Sequence, residues 1–339
     1  MSSSRSPRPV LVYGAAGHTA RFVVAALRRQ GHPLLLGGRD AARLRQAFPD
    51  APDAALRAFD LADRDRTRSA VAAAGLVLNC AGPFADTAEP LLEAALAAGA
   101  HYLDIGAEQA VARAVLEEWN AKAAEAGVLA VPAVGFWGGL GDLLATAAMG
   151  DWTSADEIAV HAFLDSWHPT EGTRRTGRRN AGRQLVFSGG KLQPPLATPV
   201  RKTWDFGHGE REMLASSTAD IVTIASHLAV QEVPVWISEN SIRDLRDPQT
   251  PPPAPVDASG RSAQRFTMQV IARRGLQQRQ AAASGQDIYA VTGPLVAHAA
   301  TRVLAGGQRP AGSFSVGALF EAREFLQALA PDPLSLRLD

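Results

Sequence analysis

Two glycines three residues apart follow an apolar run near the start of the chain. The run at positions 10–13 predicts a strand, and Gly14-Ala15-Ala16-Gly17-His18-Thr19 follows it. Gly14 can take backbone angles closed to other residues, and Gly17 lets a pyrophosphate approach the N-terminus of the next helix. Apolar residues at helical spacing and a basic, glycine-terminated end support that helix. The pattern predicts a dinucleotide site at positions 14–19.

The residues after the second predicted strand favour one kind of dinucleotide. NAD-binding domains usually place an acid here to bind the ribose hydroxyls. This chain instead reads Gly37-Gly38-Arg39-Asp40, with Arg43 one turn further on. The planar fork of Arg39 suits a 2′-phosphate, whereas Asp40 lies one residue too late and is predicted to cap the next helix. The predicted cofactor is NADP(H), and the alternative for Arg39 is a solvated surface arginine.

Composition and charge narrow the function classes. The chain has 339 residues, 46% of them hydrophobic and 20% charged, with a formal net charge of zero. This composition leaves room for two domains and indicates no nucleic-acid or membrane partner. Residues 1–9 lack the apolar core of a signal peptide, and Cys80 is the only cysteine. We therefore expect a cytoplasmic protein without an internal disulfide.

The first half of the chain alternates predicted strands and helices. Helices are predicted from Pro90 to Gly99 and over 108–126. The further predicted strands span 33–37, 56–59, 76–80, 101–105 and 128–134. Short links between such units predict an α/β fold with a Rossmann-type, doubly wound parallel sheet.

The pattern changes after about residue 150. Apolar and polar residues alternate over 158–165 and 266–272, which predicts an inserted α+β domain with a mainly antiparallel sheet. The proline-rich stretch 247–262 is predicted to be an exposed loop. Helices predicted over 293–304 and 316–329 are expected to return to the first domain. The predicted divisions are a dinucleotide-binding domain, a substrate domain that could form a homodimer, and the C-terminal helices, spanning 8–135, 136–291 and 292–339.

Blocks of sequence add a resemblance to a known family. They read GAAGHTA, GGRD, DLAD, CAGPFADTAEPLLEAALAAGAHYLDIGAE and KAAEAGVLAVPAVGFWGGLGDLLA. Over roughly residues 9–149 the chain resembles the NADP-binding domain of the saccharopine dehydrogenase (saccharopine reductase-like) family, which includes trans-acting enoyl reductase relatives. The ending RPAGSFSVGALFEAREFLQAL resembles the family's C-terminal helix.

The resemblance implies roles for individual residues. It implies that residues 14–19, which we call the glycine turn, bind the pyrophosphate and that Arg39 binds the 2′-phosphate. It also implies that residues 104–108 and 135–142 line the hydride site. The remaining implied cofactor contacts are Asp60 and Leu61 near adenine, and Cys80, Ala81, Gly82, Pro83 and Phe84 beside the ribose and nicotinamide. The chain departs from the family where a Tyr-Gly pair is replaced by Asp86-Thr87, and where Trp137 enters a turn that lacks its usual proline.

Several common mechanisms lack the residues they need. The tyrosines at 13, 102 and 289 each have a glycine four positions later, so no Tyr-x-x-x-Lys pair exists. The chain has no HExxH or CxxC motif, and we predict no metal site. Hydride transfer from a nucleotide therefore remains, because the cofactor carries the reactive atom.

Glu108 is a candidate to orient a substrate or pass a proton, with a dipole-stabilised acid at the start of a helix as the alternative. Asp142 has the same two interpretations. Cys80 is interpreted as a small buried residue rather than a nucleophile. His227 is interpreted as a packed histidine.

A basic segment in the second domain offers a substrate anchor. His168 is the predicted proton donor, since its ordinary pKa lies near neutrality. Arg174, with Arg175 as second choice, is predicted to bind an anionic group of the substrate. The alternatives are a loop histidine and a solvated basic face.

The sequence thus predicts an NADPH-dependent oxidoreductase acting on a small, anionic molecule between the domains. The reduced bond is an imine or an activated alkene. Two other functions stay open: a non-catalytic NADP(H)-binding sensor or regulator, and a reductase that accepts only a carrier-bound intermediate.

Overall fold

Strands and helices alternate through the first part of the chain. The computed structural model describes residues 8–195, 198–207, 209–306 and 310–339, so most of the polar start lies outside the described residues. The strands are β1 (Val10–Tyr13), β2 (Leu34–Gly38), β3 (Leu56–Ala58), β4 (Leu76–Asn79), β5 (His101–Asp104) and β6 (Leu129–Val131). The helices are α1 (His18–Arg29), α2 (Ala41–Ala47), α3 (Arg64–Val71), α4 (Phe84–Ala97), α5 (Gln109–Glu117), α6 (Asn120–Glu125) and α7 (Gly139–Met149).

Strands predominate in the second part. They are β7 (Ser154–Leu164), β8 (Val186–Ser188), β9 (Lys191–Gln193), β10 (Arg201–Asp205), β11 (Glu210–Ser216), β12 (Ala229–Glu232), β13 (Val235–Ser238), β14 (Arg265–Arg274) and β15 (Gln277–Gln286). The helices among them are α8 (Glu171–Arg179), α9 (Asp220–Ala225) and α10 (Glu239–Arg246). The chain ends with α11 (Ile288–Leu304), β16 (Gly312–Ser313), α12 (Val316–Leu319), α13 (Ala322–Gln327) and β17 (Ser335–Leu338). Within the described ranges, no helix is both long enough and apolar enough to cross a bilayer.

The first sheet has the strand order β16-β6-β5-β4-β1-β2-β3, and its neighbours pair in parallel. β1 lies inside the sheet, with Val10 opposite Leu34 on one side and Leu76 on the other. β1 and β4 are buried along their whole length, as a parallel sheet covered by helices on both faces requires. The predicted Rossmann-type architecture is confirmed.

The second sheet has the order β10-β11-β13-β7-β14-β15-β17, with β12 also paired to β7. β7 pairs in parallel with β12 and β13, and the other pairs are antiparallel. This confirms a mainly antiparallel second sheet. The C-terminal segment supplies β16 to the first sheet and β17 to the second, while the predicted domain boundaries stay predictions.

Three predicted helices have different bounds in the structure. Pro90 does not open a helix: α4 begins at Phe84 after Pro83, and Pro90 lies inside it. The helix predicted over 108–126 is divided at Trp119 into α5 and α6. The helix predicted over 316–329 is divided into α12 and α13, because Phe320 takes extended backbone angles.

Helix α11 joins the two sheets. It begins after Asp287, a fully buried residue with φ 60° whose carboxylate accepts hydrogen bonds from the backbone N–H groups of Tyr289, Ala290 and Ser262. Along α11, a Cβ built on Gly293 would lie 2.7 Å from the backbone C and O atoms of Phe22 in α1. The missing side chain therefore lets α11 pack directly on the backbone of the helix that follows the glycine turn.

A buried hydrogen bond between Asp142 and His227 fixes α7. Asp142 is fully buried, and its Oδ1 lies 2.7 Å from Nε2 of His227, just after α9. Its Oδ2 accepts the N–H of Gly317 in α12 at 2.6 Å. Burial by itself lowers the pKa of His227, but the charge and hydrogen bond of Asp142 outweigh it and raise that pKa above its ordinary value. Asp142 thus connects three segments and does not line the cavity described below.

This pair predicts how stability depends on pH. A histidine whose pKa is raised on folding contributes stability that is complete below the unfolded-state pKa of about 6.5 and is lost as the pH rises through the folded-state pKa. Replacing His227 by Gln should flatten this loss while keeping a donor for Asp142. Replacing it by Ala should lower the free energy of unfolding by about 3 kcal/mol, because a buried carboxylate loses its partner.

Urea unfolding across the neutral range measures both effects. His168→Gln is the matched control, since no ion pair links His168 to another described residue, and it should keep the wild-type slope. An unchanged slope in His227→Gln would contradict the assignment.

Candidate functional site

The glycine turn has the geometry that a phosphate group needs. Gly14 has φ 79°, and a Cβ on it would lie 2.9 Å from the Cβ of Ala81. The β1–α1 turn therefore packs against the β4–α4 turn. Gly17 precedes α1 in extended conformation, and its N–H donates to the carbonyl of Gly14 at 2.8 Å. Without a side chain at Gly17, an anion can reach the free N–H groups at the start of α1.

His18 places an unpaired polar atom beside this turn. Its Nδ1 lies 3.1 Å from the guanidinium of Arg21, while its buried Nε2 has no hydrogen-bond partner among the described residues. The ring packs edge-on against Phe22 and Tyr289. Burial lowers the pKa of His18, against the opposing charge of Asp287. An unpaired buried nitrogen is the kind of group that a bound ligand satisfies.

The other residues of the glycine turn differ in their exposure. Ala15 is fully buried under the turn, Ala16 is half-buried, and Thr19 lines the adjacent cavity.

Arg39 lies at the end of β2 with an exposed guanidinium that has no partner among the described residues. Asp40 accepts the N–H of Arg43 at 3.0 Å, which confirms that it caps α2. Burial raises the pKa of Tyr13 to about 12, opposed by the charge of Arg39 and reinforced by that of Asp60. Both charged groups therefore lie within electrostatic reach of the end of β1. Leu61, beside Asp60, is buried.

The β4–α4 turn continues the site. Cys80 and Gly82 line the cavity, and the N–H of Ala81 donates to the side-chain oxygen of Asn79 at 3.0 Å. Burial raises the pKa of the Cys80 thiol, and the charge of Asp104 raises it further. A thiolate is therefore disfavoured, as expected for a packing residue rather than a nucleophile.

Glu108 reaches back to this turn. It is only 3% exposed, and its two carboxylate oxygens accept the backbone N–H groups of Phe84 at 2.6 Å and Ala85 at 3.2 Å. It therefore caps α4, the preceding helix, rather than stabilising the start of its own helix as the sequence alternative expected. A role in proton transfer would require these two hydrogen bonds to break, so the geometry favours a positioning role.

A cavity of about 1400 Å³ opens from the glycine turn into the second domain. Its walls combine three parts of the chain. The cofactor end is lined by Gly17, His18, Thr19, Cys80, Gly82 and Phe84. The second-domain wall includes Leu214, Val233, Val235, Ile237, Ile242 and Leu245, and α11 adds Ile288, Tyr289 and Thr292. Helix α8 covers the β4–α4 turn, since a Cβ on Gly82 would lie 2.8 Å from Oγ1 of Thr176.

The structure does not leave the predicted anion anchor free. Arg174 lines the cavity, but its guanidinium donates to the backbone carbonyls of Leu245, Asp247 and Thr250. Arg175 is exposed and pairs with Glu171. These contacts fit the alternative interpretation, in which the basic rows of α8 form a solvated face that also fastens the loop after α10.

Two further predicted positions differ. His168 is half-buried and does not line the cavity, although its neighbour Trp167 does. Of the turn at 135–142, Phe136 and Trp137 line the cavity, whereas Asp142 does not.

Tyr289 is the wall residue that sequence reasoning missed. Its hydroxyl oxygen accepts the Trp167 indole N–H at 3.1 Å and the Thr170 backbone N–H at 3.3 Å, and lies 3.0 Å from Oγ1 of Thr173. Burial raises its pKa, against these hydrogen bonds. The sequence feature that could have drawn attention to Tyr289 is Asp287, two residues earlier. An aspartate there predicts a helix cap, but it does not predict what the tyrosine contacts.

Comparison with known proteins agrees with the first-domain geometry. Residues 10–131 match the family model described as the saccharopine dehydrogenase NADP-binding domain. A probable mitochondrial saccharopine dehydrogenase-like oxidoreductase from Arabidopsis thaliana is 32% identical over 154 residues, which cover 40% of this chain and 34% of that protein. The trans-acting enoyl reductase of Mycobacterium tuberculosis is 28% identical over 142 residues, again 40% of this chain and 34% of that protein. The chain thus matches about a third of the length of either relative.

A solved structure extends the likeness of fold to the second domain. Apo saccharopine dehydrogenase (L-Glu forming) from Saccharomyces cerevisiae matches with a TM-score of 0.66 at 12% identity, over 97% of this chain and 99% of that chain. At this identity the match shows the fold alone. The glycine turn, the parallel sheet and the family model agree on the cofactor, NADP(H). Over residues 10–131 the chain is thus similar to the NADP-binding domain of saccharopine dehydrogenase.

Proposed function

We propose that the protein is an NADPH-dependent oxidoreductase that reduces a C=C or C=N bond in the cavity between the two sheets. The observation that supports this proposal is that the β1–α1 turn, the β4–α4 turn and the second-domain wall all line one cavity. The relatives named as oxidoreductases and as an enoyl reductase support it. A homodimer through the second domain and a cytoplasmic location stay predictions.

The residues present fit NADP(H). A Cβ on Gly17 would lie 3.0 Å from the carbonyl oxygen of Gly14, so the turn is built without a side chain at this position, and the unpaired Nε2 of His18 lies beside it. When bound, the cofactor supplies the hydride. Around it, the glycine turn would hold the pyrophosphate and Arg39 the 2′-phosphate, while the turn from Cys80 to Phe84 would position the nicotinamide.

Tyr289 is the proton donor that the geometry favours over His168. A hydroxyl has one hydrogen to donate and two lone pairs to accept with. The N–H groups of Trp167 and Thr170 occupy both lone pairs, so the phenolic hydrogen is directed to Thr173 or to the cavity. If this hydrogen passes as a proton to the substrate, the same two N–H groups would stabilise the phenolate that remains. A proton from water would then restore the phenol.

Transfer of label tests the reaction class. NADPH carrying deuterium at the reactive nicotinamide carbon is incubated with a panel of imines and enones, and mass spectrometry reads deuterium in the product. We expect one deuterium in the product with wild type and with Ala25→Val, on the exposed face of α1. Gly17→Val should fold but lose cofactor binding and transfer. NADPH binding without transfer to any panel member would favour the non-catalytic sensor.

Tyr289→Phe should keep NADPH affinity and lower kcat by about 10²–10⁴-fold, because one positioned acid is removed. The solvent deuterium isotope effect on kcat should change as well. Tyr102→Phe is the control, since this buried phenol in β5 does not line the cavity. Equal kcat values for Tyr289→Phe and wild type would exclude Tyr289 as the donor.

Arg39→Ala should weaken NADPH binding by roughly 10- to 100-fold, since a charge-assisted hydrogen bond contributes about 1.5–3 kcal/mol. NADH binding should change little. Arg29→Ala removes the same charge at the far end of α1 and serves as the control. Calorimetric titration measures all three proteins, and an unchanged NADPH affinity in Arg39→Ala would refute the assignment.

A further inference from the structure

We propose that the cavity binds a substrate with a long, uncharged aliphatic chain, which lies along the inner face of the second sheet. Reduction of this substrate rests on the proposed function, whereas binding of its aliphatic chain does not. This revises the expectation of a small anionic substrate.

The second-domain wall is apolar and ordered by the sheet. Leu214 in β11 pairs directly with Ile237 in β13, and Val235 lies two residues before it on the same strand. These three side chains are between 2% and 3% exposed. Leu245 and its neighbour Ile242 extend the wall onto α10. A surface of this kind gains free energy from each methylene group it removes from water.

The charged groups of the lining are already engaged or lie at the rim. Glu108 caps α4, Arg174 donates to three carbonyls, and Glu232 accepts from Ser188 and Gly189. Arg178 pairs with Glu171. The other charged lining residues, Arg183 and Arg246, are exposed. Within the described lining, no buried cation is free to compensate a carboxylate, so binding an anion deep in the cavity would carry an uncompensated desolvation cost.

The unpaired polar atoms of the lining are neutral. The indole Nε1 of Trp137 and Nε2 of His18 are both buried without a partner among the described residues. An indole N–H can only donate, so it suits a carbonyl oxygen rather than a cation. The lining thus offers hydrogen bonds to a neutral polar group and contact to an apolar chain.

The size of the cavity points the same way. Pockets for small ligands usually enclose about 300–1,000 Å³. This cavity has about 1400 Å³, which leaves room for a chain beside the part of the cofactor that enters it.

A chain-length series tests the proposal by binding alone. NADP⁺-saturated protein is titrated with methyl ketones that carry butyl, hexyl, octyl or decyl chains, and with glutarate. Quenching of tryptophan fluorescence reports binding, since Trp137 and Trp167 line the cavity. We expect the affinity to rise about tenfold for every two methylene groups, and glutarate to bind more weakly than the decyl ketone.

Leu245→Asp should weaken binding of the decyl ketone by at least about tenfold and leave NADP⁺ affinity unchanged. Leu276→Asp makes the same substitution in the exposed turn between β14 and β15, outside the cavity, and should bind as wild type. Phe187→Asp, at a half-buried wall residue of β8, is used if Leu245→Asp does not fold.

Affinity independent of chain length, or tighter binding of glutarate than of the decyl ketone, would overturn the proposal. Chain-length-dependent binding in a protein that transfers no deuteride would leave the apolar site standing and refute the oxidoreductase. The two failures are therefore distinguishable.

Discussion

The close approach of α11 to α1 is the constraint on which the site depends. With a Cβ of Gly293 placed 2.7 Å from the backbone of Phe22, no larger residue fits without moving one helix. The chain enters α11 directly from the second sheet through the buried carboxylate of Asp287. One helix therefore sets the position of the substrate wall relative to the glycine turn, and it brings Tyr289 against His18.

Buried acids in this protein mostly serve backbone N–H groups. Asp287 binds three of them, Glu108 binds two at the start of α4, and Asp142 binds one while paired with His227. An ionised carboxylate that is buried for this purpose is compensated by the helix dipole or a partner charge. Because their oxygens already accept these hydrogen bonds, these acids are poorly placed to transfer a proton to a substrate. For this reason we propose a phenol, rather than one of these carboxylic acids, as the proton donor.

The sequence was informative where function follows from local geometry. A glycine that needs φ 79° at the end of a strand and an acid that caps the next helix are both determined within a few residues, and Gly14 and Asp40 were identified in this way. The alternating strands and helices gave the first sheet for the same reason. The division at Trp119 and the position of Pro90 inside α4 depend on packing, which local propensity does not contain.

Contacts between distant segments could not be predicted. Glu108 caps a helix that starts 24 residues earlier, and Tyr289 meets Thr173 across 116 residues. The residues next to Glu108 and Tyr289 in the sequence do not indicate which distant residue each side chain contacts. The same limit applies to Arg174, because its spacing with Arg178 predicts a basic row but not the groups that its guanidinium contacts. Only the folded chain shows that the backbone carbonyls at 245, 247 and 250, at the end of α10 and in the loop after it, accept hydrogen bonds from its guanidinium.

Cofactor and substrate recognition are constrained differently in the two halves of the molecule. A pyrophosphate is an invariant ligand, so its turn must offer backbone N–H groups without side-chain bulk, and the resemblance to relatives lies over these residues. For the second domain, the solved neighbour shares the fold at only 12% identity. Fold likeness therefore does not identify the substrate of this chain. The side chains of Leu214, Val235 and Ile237 are the better guide to the substrate, because their burial and strand pairing establish that this wall is apolar.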